Sequence, residues 1–281
     1  MVAILGGLGA ALAWGLASAA ASRSTRIIGP ASALGWAMLI GLVITIPFLA
    51  VAGIPDLDGE EAGWLAVAGV GNMAGLLLQY AGLRVGKVGV VTPIAATSGG
   101  IAAVIAVLAG EEVAPGVGVA LGICAVGVVL ASRVRGEDQS APRRVGPGVA
   151  YGVAAAIVWG VAIYAGGRLS GELPLAWVLA STRVVGVTLV TLPLIVTRGL
   201  QLKRIVVPYL LVSGVCEVAG YASFLAGARD AIAVSSVLAS QAAAVATVIA
   251  FVVFGERLAR IQVAGVVTIM LGVALLAVLQ A

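Results

Sequence analysis

Two ionisable side chains lie deep inside long apolar segments of the sequence. Arg183 is nine residues beyond Pro174, and Glu217 is nine residues beyond Pro208. At 1.5 Å of helical rise per residue, each lies about 13 Å along its segment, close to the middle of a bilayer if the segment crosses one. A charge at that depth costs at least about 2.5 kcal/mol and normally faces the interior of a helix bundle. We expect Glu217 to bind a proton or a cationic group and Arg183 to bind a carboxylate or to tune Glu217; alternatively, the two form a structural pair between neighbouring helices.

Other polar and aromatic side chains inside apolar segments are further candidates for a binding site. Gln79 lies seven residues beyond Asn72, and Tyr221 lies four residues beyond Glu217, so each pair shares a helix face. The remaining candidates are Tyr80, Ser98, Ser240, Gln241, Trp14 and Trp159. Interhelical hydrogen bonding is the alternative role for the amides and hydroxyls, and packing is the alternative for the two tryptophans.

The composition argues against a soluble protein and against most enzyme chemistry. Hydrophobic residues make up 62% of the chain and charged residues 10%, whereas soluble domains carry about 25% charged residues. Without histidine, and with Cys124 and Cys216 inside apolar runs, we expect no metal, no cofactor and no catalytic triad. The basic residues occur in short scattered clusters, which argues against nucleic-acid binding.

Ten apolar runs are long enough to cross a bilayer as helices. They cover residues 2–21, 30–52, 62–83, 88–109, 115–132, 147–167, 174–196, 206–227, 232–254 and 259–280. Their length and the absence of a two-residue period argue against a β-barrel. The predicted fold class is therefore an all-α integral membrane protein with ten transmembrane helices.

An internal repeat divides the chain into two halves. A shift of 145 residues aligns Trp14 with Trp159, Gly75 with Gly220, and Asn72 with Glu217. The predicted division is a first five-helix repeat (1–135), a polar linker (136–146) and a second five-helix repeat (147–281). Because five is odd, the second repeat enters the membrane from the opposite side, which gives the inverted repeats found in many secondary transporters.

The distribution of lysine and arginine predicts the orientation. Of the 16 basic residues, 13 fall in one alternating set of loops, which includes the central loop, and two in the other set. We expect a multi-pass protein of a bacterial-type plasma (inner) membrane with both termini outside and the central loop in the cytoplasm.

Several short motifs resemble the ten-helix EamA-type members of the drug/metabolite transporter superfamily. Both halves carry a Trp-Gly pair in their first helix, and further motifs are Ser181-Thr182-Arg183, Ala109-Gly110-Glu111-Glu112-Val113 and Phe254-Gly255-Glu256-Arg257-Leu258. A proline common in the middle of the fourth helix of each half of such proteins is absent at Ser98 and Ala243. The resemblance covers essentially the whole chain and implies export of amino acids, other metabolites or drugs.

We therefore expect a secondary transporter that works by alternating access and exports amino acids or amine-bearing compounds. Protons are a candidate coupling ion. A channel or facilitator without ion coupling is the alternative, and an intramembrane enzyme is a weaker one. The expected partners are a small-molecule substrate and the lipid bilayer, and the chain is expected to be a monomer or a homodimer.

Overall fold

The computed structural model describes residues 1–85, 94–113, 115–131, 145–245 and 260–279. Within these residues the chain forms helices and no β-strand, which confirms the predicted helical class. The helices are α1 (Val2–Ile28), α2 (Pro30–Ala52), α3 (Gly59–Val85), α4 (Ser98–Leu108), α5 (Pro115–Ala131), α6 (Val145–Leu169), α7 (Leu175–Val196, with a π-helical turn at Val187–Thr191), α8 (Val207–Ala228), α9 (Ile232–Ala239) and α10 (Arg260–Leu279).

The long apolar helices are those of a multi-pass membrane protein. Among the described residues, six helical spans are long and apolar enough to cross a membrane. Shorter apolar helices occupy Ile94–Leu108, Gly116–Gly127 and Ile232–Val245. Parts of the predicted runs 88–109, 232–254 and 259–280 lie outside the described residues, so the count of ten spans stays a prediction.

Some helix ends differ from those predicted by hydropathy. The first helix continues to Ile28 instead of ending at residue 21, because Arg23 and Arg26 interrupt the apolar run without interrupting the helix. Long basic side chains at a helix end can reach the membrane surface. The third helix begins earlier than predicted, where Asp58 and Glu61 each accept the other's backbone N–H, at 2.7 and 3.0 Å, in a capping box.

The helices of one half pack mainly on helices of the other. The α1–α8 and α3–α6 pairs, which correspond under the 145-residue offset, are the most extensive contacts. The α2–α8 and α3–α7 pairs also correspond, and α5 packs on its own counterpart α10. The α1–α9 and α4–α6 pairs each join the first helix of one half to a part of the fourth apolar run of the other half. This pattern, in which helices of one half pack on helices of the other in corresponding pairs, fits two repeats related by a pseudo-two-fold axis.

Small residues allow the helices to approach closely. A Cβ atom added to Gly6 of α1 would lie 2.5 Å from Cα of Gly227 in α8, and one added to Gly71 of α3 would lie 2.9 Å from Cβ of Ala162 in α6. Packing between small residues is a main source of helix association in lipid, where apolar side chains gain little from leaving the solvent.

The helices around residues 97 and 240 are both interrupted. A turn at Thr97 separates α4 from the short helical stretch before it, and a turn at Ser240 and Gln241 ends α9 before helix resumes at residue 242. The two breaks nearly coincide under the 145-residue offset, although neither contains proline. Backbone hydrogen bonds continue across both turns, from the N–H of Ile101 to the oxygen of Thr97 and from the N–H of Val245 to the oxygen of Gln241.

Candidate functional site

The buried guanidinium of Arg183 is held by main-chain and sulfur contacts instead of a carboxylate. Its side chain on α7 is only 1% exposed. Nη2 donates to the backbone oxygen of Glu217 at 3.1 Å, and Nη1 contacts Sδ of Met38 at 3.6 Å. Nε has no hydrogen-bond partner in the described part of the chain. Gly41 of α2 leaves room for this side chain, because a Cβ there would lie 3.0 Å from Cδ of Arg183.

The Glu217 side chain does not form the anticipated ion pair with Arg183. Within the described residues its carboxylate makes no hydrogen bond and no ion pair within 4.0 Å, and the side chain is half-buried. Arg183 and Tyr80 of α3 lie within electrostatic range of Glu217. The carboxylate is thus half-buried and has no partner among the described residues.

An aromatic cluster lies one helical turn from Glu217. The ring of Trp14 on α1 is 6.5 Å from that of Tyr221 and 6.2 Å from that of Phe224, and the two α8 rings are 6.1 Å apart. Tyr221 and Phe224 are buried, whereas Trp14 is half-buried. Tyr221 is four residues beyond Glu217, so the two share one face of α8. The structure therefore brings together four of the predicted residues: Glu217, Arg183, Tyr221 and Trp14.

A second tryptophan occupies the corresponding place in the other pair of helices. Trp159 on α6 lies against Gly75 of α3, and its Nε1 donates to Oδ1 of Asn72 at 3.1 Å. Trp14 lies in the same way against Gly220 of α8. The 145-residue offset pairs the two tryptophans and the two glycines, but it does not reveal that each tryptophan packs on the glycine of the opposite half.

Three of the remaining predicted polar residues lie at or near the helix breaks. Ser98 begins α4 and is buried, and Ser240 Oγ donates to the backbone oxygen of Val237 at 2.6 Å. Gln241 Nε2 donates to the same oxygen at 3.2 Å, while its buried Oε1 has no partner among the described residues. No contact in the described chain joins these three residues to Glu217. Gln79 is half-buried on α3.

Charged residues connect the two halves at the end of the bundle that contains the N-terminus. Arg168 of α6 binds Glu60 of α3 at 2.6 Å. The carboxylate of Glu111 accepts backbone N–H groups of Ile232 and Ala233 at the start of α9, at 3.1 and 3.0 Å. These contacts were not predicted, because hydropathy patterns do not reveal partners across the bundle.

Further hydrogen bonds stabilise the same end of the bundle, which we call the fastened end, and they surround a cavity. The backbone N–H of Ala3 donates to Asp230 at 3.2 Å, and Arg229 donates to the backbone oxygens of Ser170 and Leu173. The cavity here has a volume of about 310 Å³, and its polar lining includes Glu111, Tyr164, Arg168, Arg229 and Asp230.

Equivalent positions of the two halves differ in exposure. Phe224 and Leu225 of α8 are 0% exposed, near the fastened end of the bundle. Their counterparts on α3 are Gln79 and Tyr80, which are half-buried. Corresponding positions of α8 and α3 therefore differ in both residue type and exposure.

Comparison with known proteins agrees with the fold and the repeat. The model of the EamA-like transporter family matches residues 1–133 and again residues 146–278. The chain belongs to the EamA-like transporter family. The anticipated EamA resemblance is thereby confirmed, although its motif at residues 254–258 lies outside the described structure.

A solved structure described only as the crystal structure of a protein is similar in fold to this EamA-like chain. The TM-score is 0.80 at 20% identity, over 99% of this chain and 96% of that one. The search of curated proteins gives no match. Membership of the family makes the chain a membrane transporter of small molecules, and at the family level it is not an enzyme.

Proposed function

We propose that this EamA-like transporter exports amino acids or small amine-bearing metabolites by alternating access, in exchange for protons that bind at Glu217. The observation that carries the proposal is the carboxylate of Glu217, which is inside the bundle and has no partner among the described residues. An isolated charge in such a place is expensive unless a proton or a cation neutralises it.

The chemistry of one carboxylate supports coupling between substrate and proton. A proton and an ammonium group neutralise the same charge, so only one of them is needed at a time. If the two ligands bind alternately as the two halves move, release of one is linked to binding of the other. The aromatic rings of Trp14 and Tyr221 provide the apolar and cation–π contacts for an organic amine.

The proposed direction of transport follows from the charges of the loops and from the contacts at one end of the bundle. The distribution of basic residues in the loops supports an orientation in which the fastened end of the bundle, with its Glu60–Arg168 and Glu111 contacts, lies on the outer side. In that orientation the contacts between the halves at the outer end favour access to Glu217 from the cytoplasm, which suits the loading of an exported substrate. The membrane is proposed to be the bacterial-type plasma membrane.

Transport by purified protein in liposomes tests this proposal. A panel of amino acids and monoamines is first screened for thermal stabilisation of the protein, and a stabilising compound is then loaded for counterflow and for uptake driven by a pH gradient. Glu217→Gln keeps the side-chain shape but removes the charge, so we expect counterflow to persist and gradient-driven accumulation to disappear. Glu112→Gln, at an exposed position, is the control with unchanged coupling.

Two results would contradict the proposal. Normal gradient-driven accumulation by Glu217→Gln would show that the proton site lies elsewhere. Flux that never saturates and shows no counterflow would instead indicate a channel or facilitator.

A further inference from the structure

Trp14 and Trp159 occupy matching positions in the two main contacts between the halves. A Cβ atom built on Gly220 would lie 2.6 Å from Cδ1 of Trp14, and one built on Gly75 would lie 2.7 Å from Cδ1 of Trp159. Each glycine is three residues beyond a polar residue of the same helix face, Glu217 in α8 and Asn72 in α3. Each indole therefore lies on the helical turn that carries one of these polar residues.

The two positions differ in one hydrogen bond. Trp159 Nε1 donates to Oδ1 of Asn72 at 3.1 Å, which joins α6 to α3. In the described part of the chain Trp14 Nε1 has no hydrogen-bond partner, and neither has the carboxylate of Glu217. The α1–α8 contact thus contains a donor and an acceptor that correspond to a bonded pair but are not bonded to each other.

The same asymmetry appears in the burial of the neighbouring residues. Phe224 and Leu225 beside the Trp14 contact are fully buried, while Gln79 and Tyr80 beside the Trp159 contact are half-buried. In a transporter built from two related halves, the opposite-facing state arises when the halves exchange their conformations. After such an exchange, the α1–α8 contact takes the arrangement now seen between α6 and α3.

We infer that in the opposite-facing state Trp14 donates a hydrogen bond to Glu217, while Trp159 releases Asn72. This inference rests on the proposed alternating access and makes Trp14 a positioning residue that acts on Glu217. An indole N–H bound to the carboxylate occupies one of its acceptor sites. One fewer acceptor site is then left for a substrate ammonium group, which weakens its binding as the halves move.

The inference predicts opposite effects for two chemically identical substitutions. Trp14→Phe removes the bond of the opposite-facing state, and Trp159→Phe removes the bond of the present state, while both retain an aromatic ring on the facing glycine. Hydrogen bonds between membrane helices contribute modest free energies, and those to a charged group are stronger. We therefore expect each variant to shift the equilibrium between the present and the opposite-facing state about three- to tenfold.

Cysteine reactivity measures this equilibrium without substrate or gradient. Single cysteines replace Gln79 or Leu225 in a cysteine-free background (Cys124→Ser, Cys216→Ser), and the full-length protein is placed in lipid nanodiscs, where both faces are accessible. Gln79→Cys should react faster in the present state, and Leu225→Cys in the opposite-facing state. Labelling by a hydrophilic maleimide gives the two rates and their ratio.

Trp14→Phe should raise the ratio of the Gln79→Cys rate to the Leu225→Cys rate, and Trp159→Phe should lower it. Glu217→Ala should behave like Trp14→Phe and should abolish any further effect of Trp14→Phe, whereas Glu217→Gln, which retains an acceptor oxygen, should stay nearer to the unmodified protein. If Leu225→Cys does not fold, the direction of change in the labelling rate of Gln79→Cys tests the inference by itself.

Equal shifts by the two tryptophan variants, or no shift in folded protein, would overturn the inference. An additional effect of Trp14→Phe in the Glu217→Ala background would also overturn it, because Trp14 would then act through another group. Since labelling needs no transported compound, opposite shifts in a protein that fails the transport test would support the hydrogen-bond exchange and refute only the proposed transport.

Discussion

Replacement of Glu111 tests whether a contact between the halves stabilises the bundle. Glu111 follows α4, yet its carboxylate accepts the N–H groups of Ile232 and Ala233, which are otherwise unpaired at the start of α9. Glu111→Ala removes both hydrogen bonds and the favourable interaction of a negative charge with the positive end of the helix.

The expected magnitude follows from these two contacts. Loss of a helix N-cap costs about 0.5–2 kcal/mol, and a charge at a helix end contributes about 0.3–1 kcal/mol more. Because the side chain is half-buried, water can partly replace it, and we expect a loss of about 2 kcal/mol in the free energy of unfolding. For a chain of this size that corresponds to a decrease in Tm of about 4–8 °C. Glu111→Gln keeps one acceptor oxygen and should lose about half as much.

Thermal unfolding of the detergent-purified protein measures the effect. Cys124 is 0% exposed, so a fluorogenic thiol reagent reports its exposure as the protein unfolds. Glu112→Ala is the matched control, because it removes the same charge from the next residue, whose side chain is exposed. If Glu111→Ala and Glu112→Ala unfold within about 1 °C of each other, the capping contact does not stabilise the protein and the reasoning is wrong.

The remaining predictions concern helix packing and orientation. Gly6→Ala places a methyl group 2.5 Å from the backbone of α8 and should lower the melting temperature, because overpacking costs about 1–3 kcal/mol. Gly118→Ala, where nothing lies within 4 Å, should raise the melting temperature slightly. A change of the same sign in both variants would contradict the packing argument. A cysteine at Ser140, in the cysteine-free background, should resist an impermeant thiol reagent in intact cells, and ready labelling would reverse the predicted orientation.

The sequence predicted the helices better than their ends. Long apolar runs identify membrane helices because lipid demands both length and low charge. Hydropathy does not show where a helix stops, however, so the continuation of α1 through Arg23 to Ile28 was missed. The breaks at Thr97 and Ser240 were missed for a related reason, since neither contains the proline that marks most helix interruptions.

Candidate site residues were predicted by type but not by partner. A charge in the middle of an apolar run identified Arg183 and Glu217, and adjacent helices suggested that they pair. The direction of each side chain depends on how the helices rotate about their axes, which a single sequence does not reveal. Arg183 therefore binds the backbone oxygen of Glu217 and the sulfur of Met38, and the carboxylate has no partner among the described residues.

The contact between Glu111 and α9 also constrains how the protein is assembled during synthesis. Glu111 emerges from the ribosome 121 residues before Ile232, so the first half must wait in the membrane with this carboxylate unused. The start of α9 acquires its cap only when the second half has been inserted and has docked on the first. Docking and completion of α9 are thus a single late step, and a protein severed in the linker should recover a stable α9 only when both fragments are made in the same cell.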